Sequence, residues 1–201
     1  MLLDHAGIRG ILPHRHPILM VDTVEEIEYH TRIVTTKAIT GSEPCYAGIT
    51  QTTDRRRYAY PRSLIIESFG QSGAVLWLES IRRDGQELDG SLIFAAARDV
   101  TFHRQAYPGD TLRHVAHIEQ VVGENAFLRG RTLIGDEVAV DYRSVIAVVR
   151  KTDTLGSLPP APPSPRPRPR PAAPPCSKPC TPCAETSRSR RTNHRTRWRQ
   201  A

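Results

Sequence analysis

Residues 60–81, YPRSLIIESFGQSGAVLWLESI, constrain the fold more than any other part of the chain. Pro61 suits the first turn of a helix, where a preset φ helps and no intrahelical amide bond is lost. Leu64, Ile65, Ile66, Phe69, Val75, Leu76, Trp77 and Leu78 then cover more of the circumference than the single apolar stripe of a surface helix. The stretch predicts one long helix buried on most sides. Gly70 and Gly73 each cost about 1 kcal/mol against alanine inside a helix, so close approach of another backbone is expected as compensation. Ser68, Ser72 and Ala74 keep the same segment slim.

One carboxylate, Glu67, stands in the first half of this helix. Gln71 follows four residues later on the same face, where its amide can orient the carboxylate. Carboxylates are rarely buried without a partner or a task. Glu67 is therefore a candidate site residue, against the structural alternative that it pairs with Arg62 or another arginine at the rim of the buried stretch.

Charge divides the chain in two. Residues 1–155 hold 18 of the 28 lysines and arginines and 20 of the 21 acidic residues, whereas residues 156–201 hold ten basic residues and one acidic. The basic balance that would suggest nucleic acid or an anionic membrane thus belongs to the tail, and neither partner is expected for the folded part. No run reaches the 18 or more apolar residues of a membrane-spanning helix, and the N-terminus lacks the apolar run of a signal peptide, so a cytoplasmic protein is expected. Cys45 is the one cysteine of residues 1–155, which leaves no disulfide framework there and predicts a lone buried thiol.

In chain order, residues 4–12 predict a short helix capped by Asp4 and ended by Pro13. LPHRHPILMVD follows, and its prolines hold His14 and His16 in an extended, structural loop. Two histidines without a third ligand nearby assign no metal. Residues 18–24 and 31–39 are rich in β-branched side chains and predict a hairpin. Residues 41–59 carry no sustained period and predict a long loop, of the kind that tends to be functional. The run Arg55, Arg56, Arg57 reads as a solvated loop tip, or as a contact for a phosphate or an acidic carrier protein. Strands are expected at 91–101, 111–122, 125–134 and 138–149, the last two joined by a turn at Gly135. His114 and His117 then point to opposite faces and cannot share a metal. One early helix with long antiparallel strands around it makes the class α+β.

Residues 156–201 hold twelve of the seventeen prolines, with repeated Pro-Arg, and cannot bury enough apolar surface to offset the entropy of ordering. A domain at 1–155 with a disordered tail at 156–201 is expected. Cys176, Cys180 and Cys183 have the C-x3-C-x2-C spacing of an iron–sulfur motif, but a Ser/Arg-rich tail supplies no barrel behind it.

Residues 8–150 resemble the hotdog-fold 3-hydroxyacyl-[acyl-carrier-protein] dehydratases of fatty-acid and polyketide synthesis. LPHRHPILMVD is similar to the family's LPHRYPFLLVD, SEPCYAG to NEPFFQG, YPRSLIIESFGQSG to FPGVLILEAMAQATG and FHRQAYPGD to FKRPVVPGD. The resemblance implies a curled sheet wrapped around one helix, protomers paired edge to edge, and an acyl chain entering on a phosphopantetheine arm at the dimer interface. It assigns Glu67 as the catalytic carboxylate, with Gln71 and Arg62 as supports, and requires no cofactor. The family follows its NEPFFQG-type segment with His-Phe-Pro, whose histidine removes the α-proton, whereas here Gly48 is followed by Ile49, Thr50 and Gln51. Arg62 replaces the helix-start glycine. β-Elimination needs a base and an acid held together on the substrate, and Glu67 supplies one of them. The implied partners are an acyl carrier protein and a second subunit, either another copy or a homologue bringing the histidine. His103 and His114 are the strand histidines that folding could bring towards the helix. A hotdog thioesterase using Glu67 and a noncatalytic acyl-binding or scaffolding subunit are the alternatives.

Overall fold

The Asp4 carboxylate accepts a hydrogen bond from the Gly7 amide at 2.9 Å, and this cap starts the first helix, α1 (His5–Ile11). The structure is a computed structural model that describes residues 1–50, 53–86 and 90–150. The expected character of residues 156–201, cysteines included, lies outside the described residues.

After α1 the chain forms β1 (Thr23–Glu28) and β2 (Arg32–Ala38). Two short 3-10 turns, Pro44–Tyr46 and Arg55–Tyr58, interrupt the expected loop. The central helix α2 (Arg62–Arg83) follows, then β3 (Ser91–Phe102), β4 (Thr111–Val122), β5 (Asn125–Ile134) and β6 (Glu137–Arg150). The strands make one antiparallel sheet in the order β1-β2-β4-β5-β6-β3. Register shifts between Val24 and Glu26, Phe94 and Ala96, Ile118 and Gln120, and Leu128 and Gly130 insert extra residues, which bend strands and increase twist. The sheet curls around α2, and this hotdog architecture is the α+β arrangement expected from the sequence.

Thirteen of the 22 residues of α2 are buried, so the helix is enclosed on most sides as its apolar circumference requires. Phe69 stacks on Tyr142 of β6 at 3.8 Å between ring centroids, and Ile65, Val75 and Leu76 join Leu112, Ala116, Leu128 and Val145 in the core. Gly130 admits this packing, because a Cβ there would strike the Val115 carbonyl oxygen and come within 3.0 Å of the Phe69 ring. Gly70 and Gly73 are met by side chains rather than by the backbone expected from their spacing. The Phe94 ring lies against Gly70, and Leu128 against Gly73.

Polar atoms buried with the helix are paired in a continuous seam. Ser72 bonds Thr35 at 2.6 Å and donates to the Ser68 carbonyl, while Ser68 donates to the Ile65 carbonyl and meets His114 Nε2 at 2.9 Å. His114 Nδ1 meets Thr132 at 2.8 Å, and Thr132 meets the Tyr142 hydroxyl at 3.1 Å. The seam ties four strands to one helix face, as buried polar groups demand.

Two local expectations need correction. Residues 18–20 stay out of the sheet, which the chain joins at the Asp22 amide on the Thr36 carbonyl with β1 starting at Thr23, because Gln71 takes the Met20 amide and the Ile18 carbonyl. The glutamates of β1 are tolerated there because it is an edge strand. Cys45 is exposed, since the turn that carries it buries Tyr46 instead. No helix among the described residues is long and apolar enough to cross a membrane.

Candidate active site

Glu67 sits between the first and second turns of α2, just before the fully enclosed part, with its side chain about one quarter exposed (27%). Gln71 Nε2 donates to Glu67 Oε1 at 2.8 Å, as the four-residue spacing predicts. The same amide nitrogen donates to the Ile18 carbonyl at 2.7 Å, and Gln71 Oε1 accepts from the Met20 amide at 2.9 Å. Gln71 itself is 2% exposed. Its orientation is thus set by two backbone bonds that Glu67 does not provide, and the carboxylate is held by a pre-fixed donor.

His14 completes this corner. Its Nε2 lies 3.7 Å from Glu67 Oε1, in the extended loop that the Pro-flanked motif predicted as structural. Arg15 fixes that loop by donating to the carbonyls of Leu12 and His14 at 2.8 and 2.7 Å. The proximity is a long-range relation: it depends on how the loop after α1 packs against α2. Extended backbone around the prolines was the only local signal.

His14, Glu67, Gly70, Gln71 and Ala74 face Leu92 and Phe94 of β3 and Ala147 of β6 around a pocket of about 30 Å³. That is room for about one water molecule. Phe94, 37% exposed on an edge strand, forms its outer wall. Glu67, Gln71 and His14 are thus the polar groups on an otherwise apolar wall, an arrangement that could move a proton in a water-poor corner.

The other candidates lie elsewhere. The Arg62 guanidinium stacks over Phe102 at 4.7 Å, and neither Arg62 nor any other arginine forms an ion pair with Glu67 among the described residues. Arg55 lies over the Tyr107 ring at 4.2 Å, and Arg56 pairs with Asp54 at 3.2 Å. These arginines belong to the turn before α2, whose entry is tied down by the Tyr60 amide on the Ala106 carbonyl at 2.8 Å. His114 does reach α2, but at Ser68 in the core, where complete burial pushes its pKa down to about 3. It is a neutral structural histidine. His103 pairs with Asp141 at 2.8 Å, both about half exposed. His117 faces away from His114, as strand alternation requires. No cluster of three or more metal-ligating side chains occurs among the described residues.

The profile of the FabA-like domain matches residues 12–148. The chain belongs to the FabA-like family. Its curated relatives include the 3-hydroxyacyl-[acyl-carrier-protein] dehydratase FabZ of Moorella thermoacetica, 35% identical over 152 residues that cover 75% of this FabA-like chain and all of the relative. FabZ of Staphylococcus saprophyticus is 34% identical over 152 residues, covering 75% of the chain and 98% of the relative. Among solved structures, the dehydratase heterocomplex ApeI:P from Xenorhabdus doucetiae shares the fold with a TM-score of 0.62 at 13% identity, covering 74% of this chain and 93% of that one. Cj0977, a sigma28-regulated virulence protein of Campylobacter jejuni, has a TM-score of 0.50 at 14% identity, covering 71% and 95%. Within this FabA-like frame, Glu67 and Gln71 are the polar side chains that α2 presents to the pocket.

Proposed function

We propose that this chain is a dehydratase subunit that removes water from 3-hydroxyacyl groups carried on acyl carrier protein, in fatty-acid or polyketide synthesis. The observation that carries the reading is the Glu67 carboxylate, clamped by Gln71 and opening onto an apolar pocket. Kinship with FabZ dehydratases supports the reaction class. In the elimination a base takes the α-proton, the Cα–H electron pair forms the double bond, the Cβ–O bond breaks, and the acid protonates the departing hydroxyl. Glu67, protonated before the step, is the acid. The reaction needs no cofactor and no metal.

The base comes from a homologous subunit that carries the family histidine, docked along β3. Residues 48–61 contain no histidine. The two edges of the sheet support this direction of docking. On the β1 side, Leu2 and Leu3 already bond Val24, and Glu25, Glu26 and Glu28 discourage further pairing. On the β3 side, residues 92–97 are Leu-Ile-Phe-Ala-Ala-Ala, an uncharged edge beside the pocket. In this reading Arg55, Arg56 and Arg57, on the turn leading into α2, receive the acidic carrier protein.

The test incubates a 3-hydroxyacyl-carrier protein with the full chain, alone and mixed with a histidine-bearing homologue, and follows products by mass spectrometry. Enoyl thioester from the mixture only, lost in Glu67→Gln, is the expected result. Enoyl product from the chain alone overturns the partner requirement, and free acid overturns dehydration in favour of thioester hydrolysis.

A further inference from the structure

His14 is the one titratable side chain that shares the pocket with Glu67, and its surroundings are unusual for a loop histidine. A structural imidazole normally bonds a backbone carbonyl or carboxylate through one nitrogen, which fixes its tautomer. Here Nδ1 is buried with no hydrogen-bond partner, and Nε2 points to Glu67 Oε1 at 3.7 Å. Glu67 is the charged side chain that the imidazole faces across the pocket. With Nδ1 unpartnered, the approach of Nε2 to Glu67 is the polar relation the structure gives this ring.

The charged environment of the pair is sparse. From the loop, the Arg15 guanidinium is engaged with the carbonyls of Leu12 and His14. From α2 come only Glu67 itself and the neutral Gln71. β3 and β6 contribute Leu92, Phe94 and Ala147, and residues 18–20 contribute backbone groups bonded to Gln71. A proton shared between Glu67 and His14 therefore has no third titratable group in the pocket to move to. It does have a route out, because the His14 side chain is 24% exposed.

We propose that His14 is the proton partner of Glu67, the residue that reloads the carboxylate after each elimination. The inference rests on the dehydratase reading above. When Glu67 gives its proton to the leaving hydroxyl, it becomes a carboxylate beside imidazolium. His14 Nε2–H then passes its proton to Glu67 Oε1 once the 3.7 Å separation closes to hydrogen-bond length, and neutral His14 takes a replacement from solvent. The base on the partner subunit releases the α-proton to solvent, so the cycle gains and loses no proton. His14 acts through Glu67 and is a positioning residue; it touches no reacting atom.

The test has one arm independent of turnover. In the full chain labelled with [13C]Glu, assigned by Glu67→Gln, the Glu67 carboxyl shift is followed against pH in the wild type, His14→Gln and His14→Asn. Proton exchange between the two side chains predicts a carboxyl shift that responds in two steps in the wild type and in one in both variants, with amide spectra otherwise preserved. An unchanged Glu67 titration in a folded variant overturns the proposal. In the mixed dehydration assay, His14→Gln is expected to lower kcat at least tenfold at low pH with KM unchanged, the difference from wild type shrinking as pH rises and the wild type itself runs out of imidazolium. A kcat equal to wild type across pH also overturns it. If the wild-type mixture makes no enoyl product while the two-step titration is present, the dehydratase reading fails and the coupling stands.

Discussion

Gln71 donates to Glu67 at 2.8 Å with an amide group already anchored on the Ile18 carbonyl and the Met20 amide. The helix thereby fixes its own carboxylate using a segment fifty residues earlier in the chain. The same bonds keep residues 18–20 out of the sheet and bring the loop that carries His14 to the mouth of the pocket. Site geometry and a local departure from regular structure have one cause.

Replacing Gln71 with leucine leaves the Met20 amide and Ile18 carbonyl without their partner and frees Glu67. An unsatisfied buried polar group costs about 1–3 kcal/mol, so the Gln71→Leu chain is expected to unfold at lower denaturant concentration with an unchanged m-value. Gln71→Glu retains the acceptor for Met20 but sets a second carboxylate against Glu67 and loses the donor to Ile18. It is expected to lose dehydration activity as well as stability. Urea titration and the mixed enzyme assay measure the two effects, and wild-type stability in Gln71→Leu would contradict the clamp.

His114 makes folding sensitive to acid. Burial holds its folded-state pKa down at about 3, against an ordinary value near 6.5 in the unfolded chain. Between those values the unfolded state binds a proton that the folded state does not, so stability rises with pH across the window and is lost as pH falls through it. The limiting effect of this one group is roughly tenfold in the folding constant per pH unit. Denaturation midpoints measured from pH 7 to pH 4 should fall, and the slope should be smaller in a folded His114→Gln chain. Equal slopes in the two proteins would remove His114 as the cause.

The parts legible from sequence are those set by local pattern. The apolar circumference of α2 predicts its enclosure, alternation in β4 puts His114 and His117 on opposite faces, and the 67/71 spacing predicts the amide–carboxylate bond. His14 was not legible, because nothing in LPHRHP encodes the distance to residue 67; only the packing of the segment after α1 does. The start of β1 was misplaced for a related reason. Ile18, Met20 and Val21 have strand-like side chains, but their backbone partners are supplied by a glutamine on a helix. Cys45 illustrates the limit of residue-type averages, since its neighbour Tyr46 takes the buried position in the turn.

Gly130 is expected to tolerate no side chain. A Cβ would collide with the Val115 carbonyl oxygen, which cannot swing away because it belongs to the adjacent strand, and the residue sits at φ 156°. Gly130→Ala should therefore separate β4 from β5 at the point where Phe69 packs, with a loss of about 2 kcal/mol or more. Calorimetry or denaturant unfolding gives the answer, and a midpoint equal to wild type would show that the sheet accommodates the methyl group.

Phe94 should govern what enters the Glu67 pocket. Its ring occupies the notch over Gly70, where an added Cβ would stand 2.6 Å from two ring atoms, and it walls a space of about 30 Å³. An acyl chain is far larger than one water, so the ring must move for substrate to reach Glu67. Phe94→Ala removes the wall and is expected to let longer or branched 3-hydroxyacyl groups react, seen as a fall in KM for the bulkier substrates relative to short ones. Gly70→Ala acts in the opposite sense: the methyl group expels the ring from its notch while filling the floor of the pocket, so KM should rise for all substrates. Competition between short and long acyl-carrier proteins in the mixed assay separates the two variants. An unaltered chain-length preference in Phe94→Ala would mean that substrate reaches Glu67 by a path that does not pass this ring.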